Sequence, residues 1–288
     1  MRGSTRFAAV ALGVILAGGS LGSAPVGAAA TPEPEAYVKN CRGLLPTLPV
    51  GTTEGTEGDD VMVGTNHDDV IYGNGGSDLI CGRDGNDTIY GGAGEDQLFG
   101  NDGRDSLYGG PGRDTLAGMP GCDRLDGGNG NDLLKPGPGG PTYGGSPDCL
   151  GTVDGGAGSD HVLVGACSVN HYLGGPGIDL LDFHPNMGHL TIDLSAGLYA
   201  GDIGCGDFSA SAAEFERARG TWGSDTLIGT EGPNRLAGMH GGDIIWGRGG
   251  DDFLNGGPDL AGDPADTLYG EAGFDTCANG EVVNGCEA

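Results

Sequence analysis

The residues of this chain with the clearest chemistry are aspartates that recur at every ninth position. The first run has nine of them without a gap: Asp60, Asp69, Asp78, Asp87, Asp96, Asp105, Asp114, Asp123 and Asp132. Carboxylates are ligands for hard cations, and calcium in particular accepts six to eight oxygen atoms at about 2.3–2.6 Å. We therefore predict a row of metal ligands along this part of the chain.

Aspartates at the equivalent position of later repeats, where the nine-residue spacing is interrupted, extend the predicted set of metal ligands. They are Asp160, Asp179, Asp225, Asp243, Asp252, Asp266 and Asp275. Asn234 occupies one register position, where its amide would be a weaker ligand. An alternative is that these aspartates only accept hydrogen bonds within their own turns, as Asx residues often do. That alternative explains an aspartate in a turn, but it does not explain a fixed register.

Each aspartate of the first run is flanked by residues that define a repeating unit. A glycine lies five residues before it, and an apolar residue lies two residues after it, from Met62 in the first repeat to Leu134 in the ninth. Glycine suits tight turns because it tolerates positive φ. The segments GRDGNDTIY (82–90), GGAGEDQLF (91–99) and GGPGRDTLA (109–117) resemble the RTX-type, or hemolysin-type, calcium-binding nonapeptide repeat.

This resemblance implies an all-β fold, namely a right-handed parallel β-roll (a β-solenoid) with calcium-binding turns. In the family, six residues of each unit form a turn, three form a short strand, and two units make one coil. Aspartates of successive coils would stack about 4.8 Å apart and would repel one another unless a cation lay between them. Nine repeats give 9 − 2 = 7 such pairs, so we expect about seven calcium ions in the first block. The turn that contains His67 departs from the pattern at position four, where glycine is expected.

The apolar residues two positions after each aspartate would face inward and form a narrow core. Each contributes roughly 1.5–3 kcal/mol, which is little against the conformational entropy lost on ordering the repeats. We therefore expect the calcium-free chain to be disordered, and we expect folding to be coupled to calcium binding outside the cell.

Composition divides the chain into six segments. Residues 1–30 have the charged start, apolar stretch and small-residue end of a signal peptide, so we expect a secreted, extracellular protein. We expect no membrane span in the mature chain, since no later apolar run is long enough. The other segments are an entry segment (31–54), the nine-repeat β-roll (55–135), an irregular insert with two isolated repeats (136–219), a second repeat block (220–278) and a C-terminal cap (279–288).

Two patterns in the insert predict local structure. The alternation of Leu190, Ile192 and Leu194 with polar residues predicts a strand. The Ser, Ala, Glu and Arg content of residues 209–219 predicts one short helix that ends at Gly220.

The eight cysteines fit a set of disulfides in an exported protein. We predict a Cys277–Cys286 pair that closes a short C-terminal loop. A second predicted pair, Cys41–Cys81, would join the entry segment to the first coil.

Charge and missing motifs exclude several classes of function. The formal net charge of −28 argues against nucleic acid or an anionic membrane as partner. The six histidines form no H-E-x-x-H zinc motif. The only G-x-S-x-G match falls at residues 18–22, inside the predicted signal peptide. We predict that the chain is not an enzyme; the enzymatic alternative places a site within residues 136–219.

Tyr72, Tyr90 and Tyr108 end alternate repeats of the first block. If they face outward, they form a ladder that either reinforces cross-strand packing or binds a cell-surface polysaccharide or protein. The leading hypothesis is a secreted repeat protein that folds on binding Ca²⁺, with a structural, adhesive or calcium-buffering role. The alternative is a polysaccharide-binding, adhesin-like module.

Overall fold

The computed structural model describes residues 45–137, 151–165, 170–184, 186, 188–202, 207–258 and 263–287. These residues form β-strands and turns, and the part of the chain so described contains no helix. The all-β prediction is therefore confirmed. No helix long and apolar enough to cross a membrane occurs among these residues.

The strands form two sheets, and successive strands alternate between them through the repeats. The eleven-stranded sheet has the spatial order β1 (Val61–Val63), β3 (Leu79–Asp84), β5 (Gln97–Asp102), β7 (Thr115–Ala117), β9 (Leu133–Lys135), β11 (His161–Leu163), β13 (Leu180–Asp182), β17 (Arg217–Arg219), β19 (Arg235–Ala237), β21 (Phe253–Asn255) and β23 (Thr276–Ala278). The thirteen-stranded sheet has the order β2 (Val70–Gly75), β4 (Thr88–Ala93), β6 (Ser106–Gly112), β8 (Arg124–Gly130), β10 (Gly151–Gly158), β12 (Asn170–Leu173), β16 (Asp207–Ala213), β15 (Leu198–Asp202), β14 (His189–Asp193), β18 (Thr226–Ile228), β20 (Ile244–Gly249), β22 (Thr267–Ala272) and β24 (Val282–Asn284).

The pairing register confirms that two nonapeptides make one coil. In the first block each strand pairs in parallel with the strand two further along the chain, so that Ile71 lies beside Ile89 and Ile80 beside Leu98. Each repeat therefore places its strand in the opposite sheet from its neighbours. The result is the parallel β-roll that the repeats predict.

The core is a row of apolar side chains, one from each repeat. These are the residues two positions after the register aspartates, and in the first block each is at most 1% exposed: Met62, Ile71, Ile80, Ile89, Leu98, Leu107, Leu116, Leu125 and Leu134. The row continues through Val162, Leu181, Leu227, Leu236, Ile245, Leu254 and Leu268. A core this narrow leaves the turns to supply much of the stability.

The two repeat blocks belong to one continuous stack. In the eleven-stranded sheet, β9 pairs with β11, β11 with β13, β13 with β17, and β17 with β19. The two isolated repeats of the insert thus occupy ordinary coil positions between the blocks. The described repeats form a single roll, which the interrupted periodicity of the sequence did not reveal.

The insert widens one sheet of the roll. Strands β14, β15 and β16 are antiparallel neighbours, and they add two strands that have no counterpart in the opposite sheet. Larger side chains fill the core at this level, where Tyr199 lies 5.5 Å from Tyr172 and 5.2 Å from Phe183 between ring centroids. The predicted strand around Ile192 is confirmed as β14.

The helix predicted at residues 209–219 is wrong. This segment forms the end of β16, a turn, and β17. Ala210 and Ala212 are buried and alternate with less buried residues along β16. Pairing with β12 and β15 gives these residues backbone partners on both sides, so the sheet overrides a weak local helix propensity.

The C-terminal coil is closed by a disulfide. The Cys277–Cys286 bond is formed as predicted, with the two Cα atoms 5.9 Å apart. Cys81 and Cys122 are also disulfide-bonded. The predicted signal peptide, residues 1–30, lies outside the described residues. So does Cys41, and with it the predicted Cys41–Cys81 pairing.

Candidate metal centre

The register aspartates stack into columns that run along the roll, one on each side. The backbone N–H of Asp60 donates to Oδ1 of Asp78 at 2.8 Å, and Asp78 donates to Asp96 at the same distance. This column continues through Asp114, Asp132, Asp160 and Asp179. The second column contains Asp69, Asp87, Asp105 and Asp123. The predicted stacking of successive coils is thus observed.

The second block continues the same arrangement. One column contains Asp225, Asp243 and Asp266, and the other contains Asn234, Asp252 and Asp275. All sixteen predicted aspartates therefore occupy equivalent positions. Within the described part of the chain, no three His, Cys, Asp or Glu side chains converge on one point. A metal ion here would take most of its ligands from the backbone.

Three glutamates that the aspartate pattern did not predict also belong to the columns: Glu216 lies between Asp179 and Asn234, whereas Glu281 and Glu287 lie at the column ends. Oε2 of Glu216 accepts from the N–H of Asp179 at 2.9 Å, Glu281 accepts from Asp266 at 2.7 Å, and Glu287 accepts from Asp275 at 2.6 Å. Glu216 and Glu281 each precede an apolar residue by two positions, as the register aspartates do. A pattern that allowed Glu for Asp would have found these two.

The second carboxylate oxygen, Oδ2, divides the aspartates into two classes. In thirteen of them Oδ2 is buried and has no hydrogen-bond partner. We call their turns open turns, and the residues are Asp78, Asp87, Asp96, Asp105, Asp114, Asp123, Asp132, Asp160, Asp179, Asp243, Asp252, Asp266 and Asp275. A buried carboxylate oxygen without a partner is costly. In each open turn, the Oδ2 atom would therefore be stabilised by binding a proton or a cation.

The other three aspartates lie in turns that satisfy Oδ2 internally, which we call closed turns. The N–H and the hydroxyl of Thr56 both donate to Oδ2 of Asp60, at 2.7 and 2.9 Å. Thr65 does the same for Asp69, and Thr221 for Asp225. Asn234 is closed in the same way, because its Oδ1 accepts from Thr230 while its amide nitrogen donates to the carbonyl oxygen of Glu216.

Whether a turn is open or closed depends on the residue at position two of the repeat. Every open turn has positive φ there, for example +110° at Gly92 and +92° at Arg83. Threonine occupies this position in the closed turns and does not take positive φ. A β-branched residue strongly disfavours that conformation, so threonine turns its N–H toward the carboxylate. The hydrogen bonding within a turn that the Asx-type alternative describes is therefore present at Asp60, Asp69 and Asp225.

Open turns bring backbone carbonyls to the unpaired carboxylate. A Cβ atom built on Gly91 would lie 2.5 Å from Oδ2 of Asp96 and 2.8 Å from the carbonyl oxygen of Gly109 in the next coil. Two hard oxygen atoms thus meet in the space that the missing side chain leaves. Carboxylate and carbonyl oxygens are the ligands that calcium prefers, and its flexible geometry tolerates an irregular turn. The donor set fits calcium.

Burial changes the proton affinity of these carboxylates. It raises the pKa of Asp123 to about 8, and that of Asp105 and Asp114 to about 7. The N–H bond along the column partly offsets this effect, whereas the charge of the neighbouring column member adds to it. Asp60 is the opposite case, since the N–H of Thr56 lowers its pKa. In the metal-free protein, the carboxyls of Asp105, Asp114 and Asp123 therefore retain a proton up to near-neutral pH.

These shifts predict that calcium reverses the pH dependence of folding. A carboxyl whose pKa is higher in the folded state stabilises the fold at acidic pH, and this stabilisation is lost as the pH rises through about 6–8. In chelator, we expect the far-UV strand signal to grow on acidification from pH 8 to pH 5. With saturating calcium, we expect the stability to rise from pH 5 to pH 8, because the metal competes with the proton.

Circular dichroism and urea unfolding at both pH values measure this reversal. Chelated protein at pH 8 in high salt is the control, because salt screens general charge repulsion but does not protonate a buried carboxyl. Equal strand content in chelator at pH 5 and pH 8 would contradict the prediction.

A comparison with known families identifies the same repeats. The model for the RTX calcium-binding nonapeptide repeat (4 copies) matches residues 54–89, 81–107, 108–140, 219–254 and 261–277. No curated protein matches the chain. The matched residues contain both open and closed turns, whereas the two isolated repeats of the insert, which contain Asp160 and Asp179, lie outside them.

Proposed function

Because this chain belongs to the RTX calcium-binding nonapeptide-repeat family, we propose that it is a secreted protein whose roll folds around calcium outside the cell. The repeats bind Ca²⁺ at multiple sites. The observation that supports the coupling to folding is the set of thirteen buried carboxylate oxygens without a partner. Ionised carboxylate oxygens that are buried without a partner are costly, and a bound cation would offset this cost, so metal binding would be coupled to folding.

The calcium ligands proposed are the thirteen aspartates of the open turns. Their unpaired Oδ2 atoms, together with turn carbonyls such as that of Gly109, are the available oxygen donors. Seven of these aspartates lie in the first block, between Asp78 and Asp132. One ion for each open turn gives the same count as the seven neighbouring pairs expected from the repeats.

Asp60, Asp69 and Asp225 are proposed to be structural rather than metal-binding. They lie in the first coil of each block, where a threonine satisfies the carboxylate. Each block would therefore begin with a coil whose turns need no metal. Such a coil offers an edge of defined register on which the first calcium-dependent turn can form.

Calcium stoichiometry tests the proposed function directly. The chain without residues 1–30 would be dialysed against millimolar calcium and analysed by atomic emission, and magnesium would serve as the control cation. We expect about thirteen calcium ions per chain and little magnesium, because magnesium demands octahedral geometry and gives up its water reluctantly. Fewer than about four calcium ions, or equal magnesium, would overturn the proposal.

The role of the folded roll is proposed to be structural, adhesive or calcium-buffering rather than catalytic. Within the described part of the insert, His161 and Arg219 both bind the buried carboxylate of Asp182, with Nε2 at 2.9 Å and a guanidinium nitrogen at 3.2 Å. We infer that this trio compensates a buried charge across strands β11, β13 and β17. Hydrolase activity that appears in calcium and is lost in His161→Ala would contradict the non-enzymatic reading.

The geometry of the tyrosine ladder favours a role in cross-strand packing over a role in binding a polysaccharide. Tyr72, Tyr90 and Tyr108 stack with ring centroids 4.9 Å apart, so that neighbouring faces cover one another. The guanidinium of Arg124 lies 5.7 Å from the ring centroid of Tyr108. The polysaccharide-binding alternative needs an aromatic face that remains open.

A further inference from the structure

A second aromatic ladder, near the C-terminal end of the roll, has an open face. Trp246 on β20 stacks on Tyr269 on β22, with centroids 3.9 Å apart and planes 11° apart. The register neighbour of Trp246 on its other side is Ile228 on β18, not an aromatic residue. Tyr269 therefore covers one face of the indole, and a smaller aliphatic side chain flanks the other.

A cavity of about 340 Å³ lies at this other face. Its walls are Ile228, Glu231, Trp246, Arg248 and Glu271. Tyr269 is not among them, so the cavity lies on the Ile228 side of the indole. Its volume is at the lower end of the range for small-molecule sites. One wall is thus a flat apolar surface, and the remainder is largely charged.

The three charged side chains around the cavity are free to bind a ligand. They come from three successive coils. Arg248 is the register neighbour of Glu271 in the next coil. On the other side, the N–H of Gly249, next to Arg248, donates to the carbonyl oxygen of Thr230, next to Glu231. In the described structure, Arg248 forms no ion pair with either glutamate. Donors and acceptors therefore converge on the cavity without satisfying one another.

Two of these residues occupy backbone positions that disfavour side chains. Arg248 has φ of +74° and Glu271 has φ of +73°, at repeat position two. Many other open turns have glycine there, as at Gly92 and Gly110. A residue in this region of φ carries a steric cost that glycine avoids, and Asn74, Arg83, Asn101, Met119 and Met239 carry it in other open turns. Glycine in place of Arg248 should therefore not destabilise the turn.

We propose that this cavity binds a neutral pyranose unit of a polysaccharide. The indole face suits the apolar face of a sugar ring, while Glu231, Arg248 and Glu271 supply hydrogen-bond acceptors and donors for its hydroxyl groups. Two carboxylates against one guanidinium make the walls net negative, and the chain carries a formal charge of −28. Uronic acid and sulfated sugars are therefore disfavoured. This site requires the calcium-folded roll but does not require any particular calcium count.

Titration calorimetry in saturating calcium tests the site, with cellohexaose, maltohexaose and chitohexaose as probes and polygalacturonate as the anionic comparison. We expect saturable binding of at least one neutral oligosaccharide and none of polygalacturonate. Because the chain has two tryptophans, the Trp222→Phe variant leaves Trp246 as the sole tryptophan reporter. Its fluorescence is expected to change on binding.

Three variants locate the binding site. Trp246→Ala and Arg248→Gly are each expected to weaken binding at least tenfold. Arg248→Gly introduces the residue that other turns use at this position, so it should fold as well as the parent protein. Tyr90→Ala, at the equivalent repeat position of the tyrosine ladder, is the matched control and is expected to bind normally.

The proposal is overturned if none of the neutral probes binds, if only polygalacturonate binds, or if Trp246→Ala and Arg248→Gly bind as the parent does. Far-UV circular dichroism of each variant in calcium accompanies the binding measurements. An intact calcium-dependent fold without sugar binding would refute this site alone. A failure to fold with calcium would instead refute the proposed function.

Discussion

Replacing Asp105 with asparagine is expected to remove about one calcium ion and to raise the calcium concentration needed for folding at least tenfold. Asp105 lies inside its column, between Asp87 and Asp123. An asparagine keeps an oxygen for the N–H bond of Asp87, but it places an NH₂ group where the unpaired Oδ2 lies. An amide nitrogen cannot coordinate calcium. A tenfold loss corresponds to about 1.4 kcal/mol, and the coupling between coils can enlarge it.

Asp69→Asn is the matched control, because Asp69 belongs to the same column but lies in a closed turn. Thr65 already satisfies its Oδ2 with two hydrogen bonds. Asn234 occupies a closed turn naturally, with Thr230 as its partner. We expect less than a twofold change in the folding midpoint and no change in calcium stoichiometry. Similar effects of the two substitutions in calcium titrations would show that the division into classes has no bearing on the metal.

Replacing Gly130 with alanine is expected to destabilise the calcium-loaded roll by more than about 4 kcal/mol. Gly130 occupies position four of an open turn, with φ of +148°. A Cβ atom there would collide with the carbonyl oxygen of Gly112 in the preceding coil. The carbonyl belongs to a backbone held on both sides by neighbouring coils, so neither group can move away cheaply. Urea unfolding in saturating calcium measures the loss.

Gly232→Ala provides the control at the same repeat position of a closed turn. The nearest atom to a Cβ built there is Oγ1 of Thr230, 3.8 Å away, and φ is not positive. We expect a change within about 0.5 kcal/mol. A large loss at both glycines would mean that position four is sensitive in every turn, irrespective of class.

Much of the architecture could be predicted from the sequence, because each repeat places a turn aspartate and a core residue at a fixed spacing. Asp96 and Leu98 illustrate this spacing, since one must face a turn and the other the core in every coil. Once this register is set, the strand pairing, the core and the columns follow together. The Cys277–Cys286 disulfide could also be predicted, because a short loop between two cysteines at the end of a coil constrains them to meet.

The remaining features depend on contacts between distant residues or on backbone conformation. Alanines at positions 210 and 212 favour helix locally, yet β16 forms because β12 and β15 offer partners from other parts of the chain. The sequence shows which turns have threonine at position two. It does not show that threonine excludes the positive φ found in the open turns, and this difference in φ separates the two classes. The union of the two blocks rests on Glu216, which takes the place of an aspartate between Asp179 and Asn234.

The most direct test of the account is a calcium titration of the chain without residues 1–30, followed by far-UV circular dichroism at pH 7.5 with magnesium in parallel. Each open turn buries a carboxylate oxygen, Oδ2, that has no hydrogen-bond partner. We therefore predict a disordered chain in chelator and a cooperative gain of strand signal with calcium alone. A chain that has its full strand signal in chelator, or that responds equally to magnesium, would contradict the claim that calcium folds this roll.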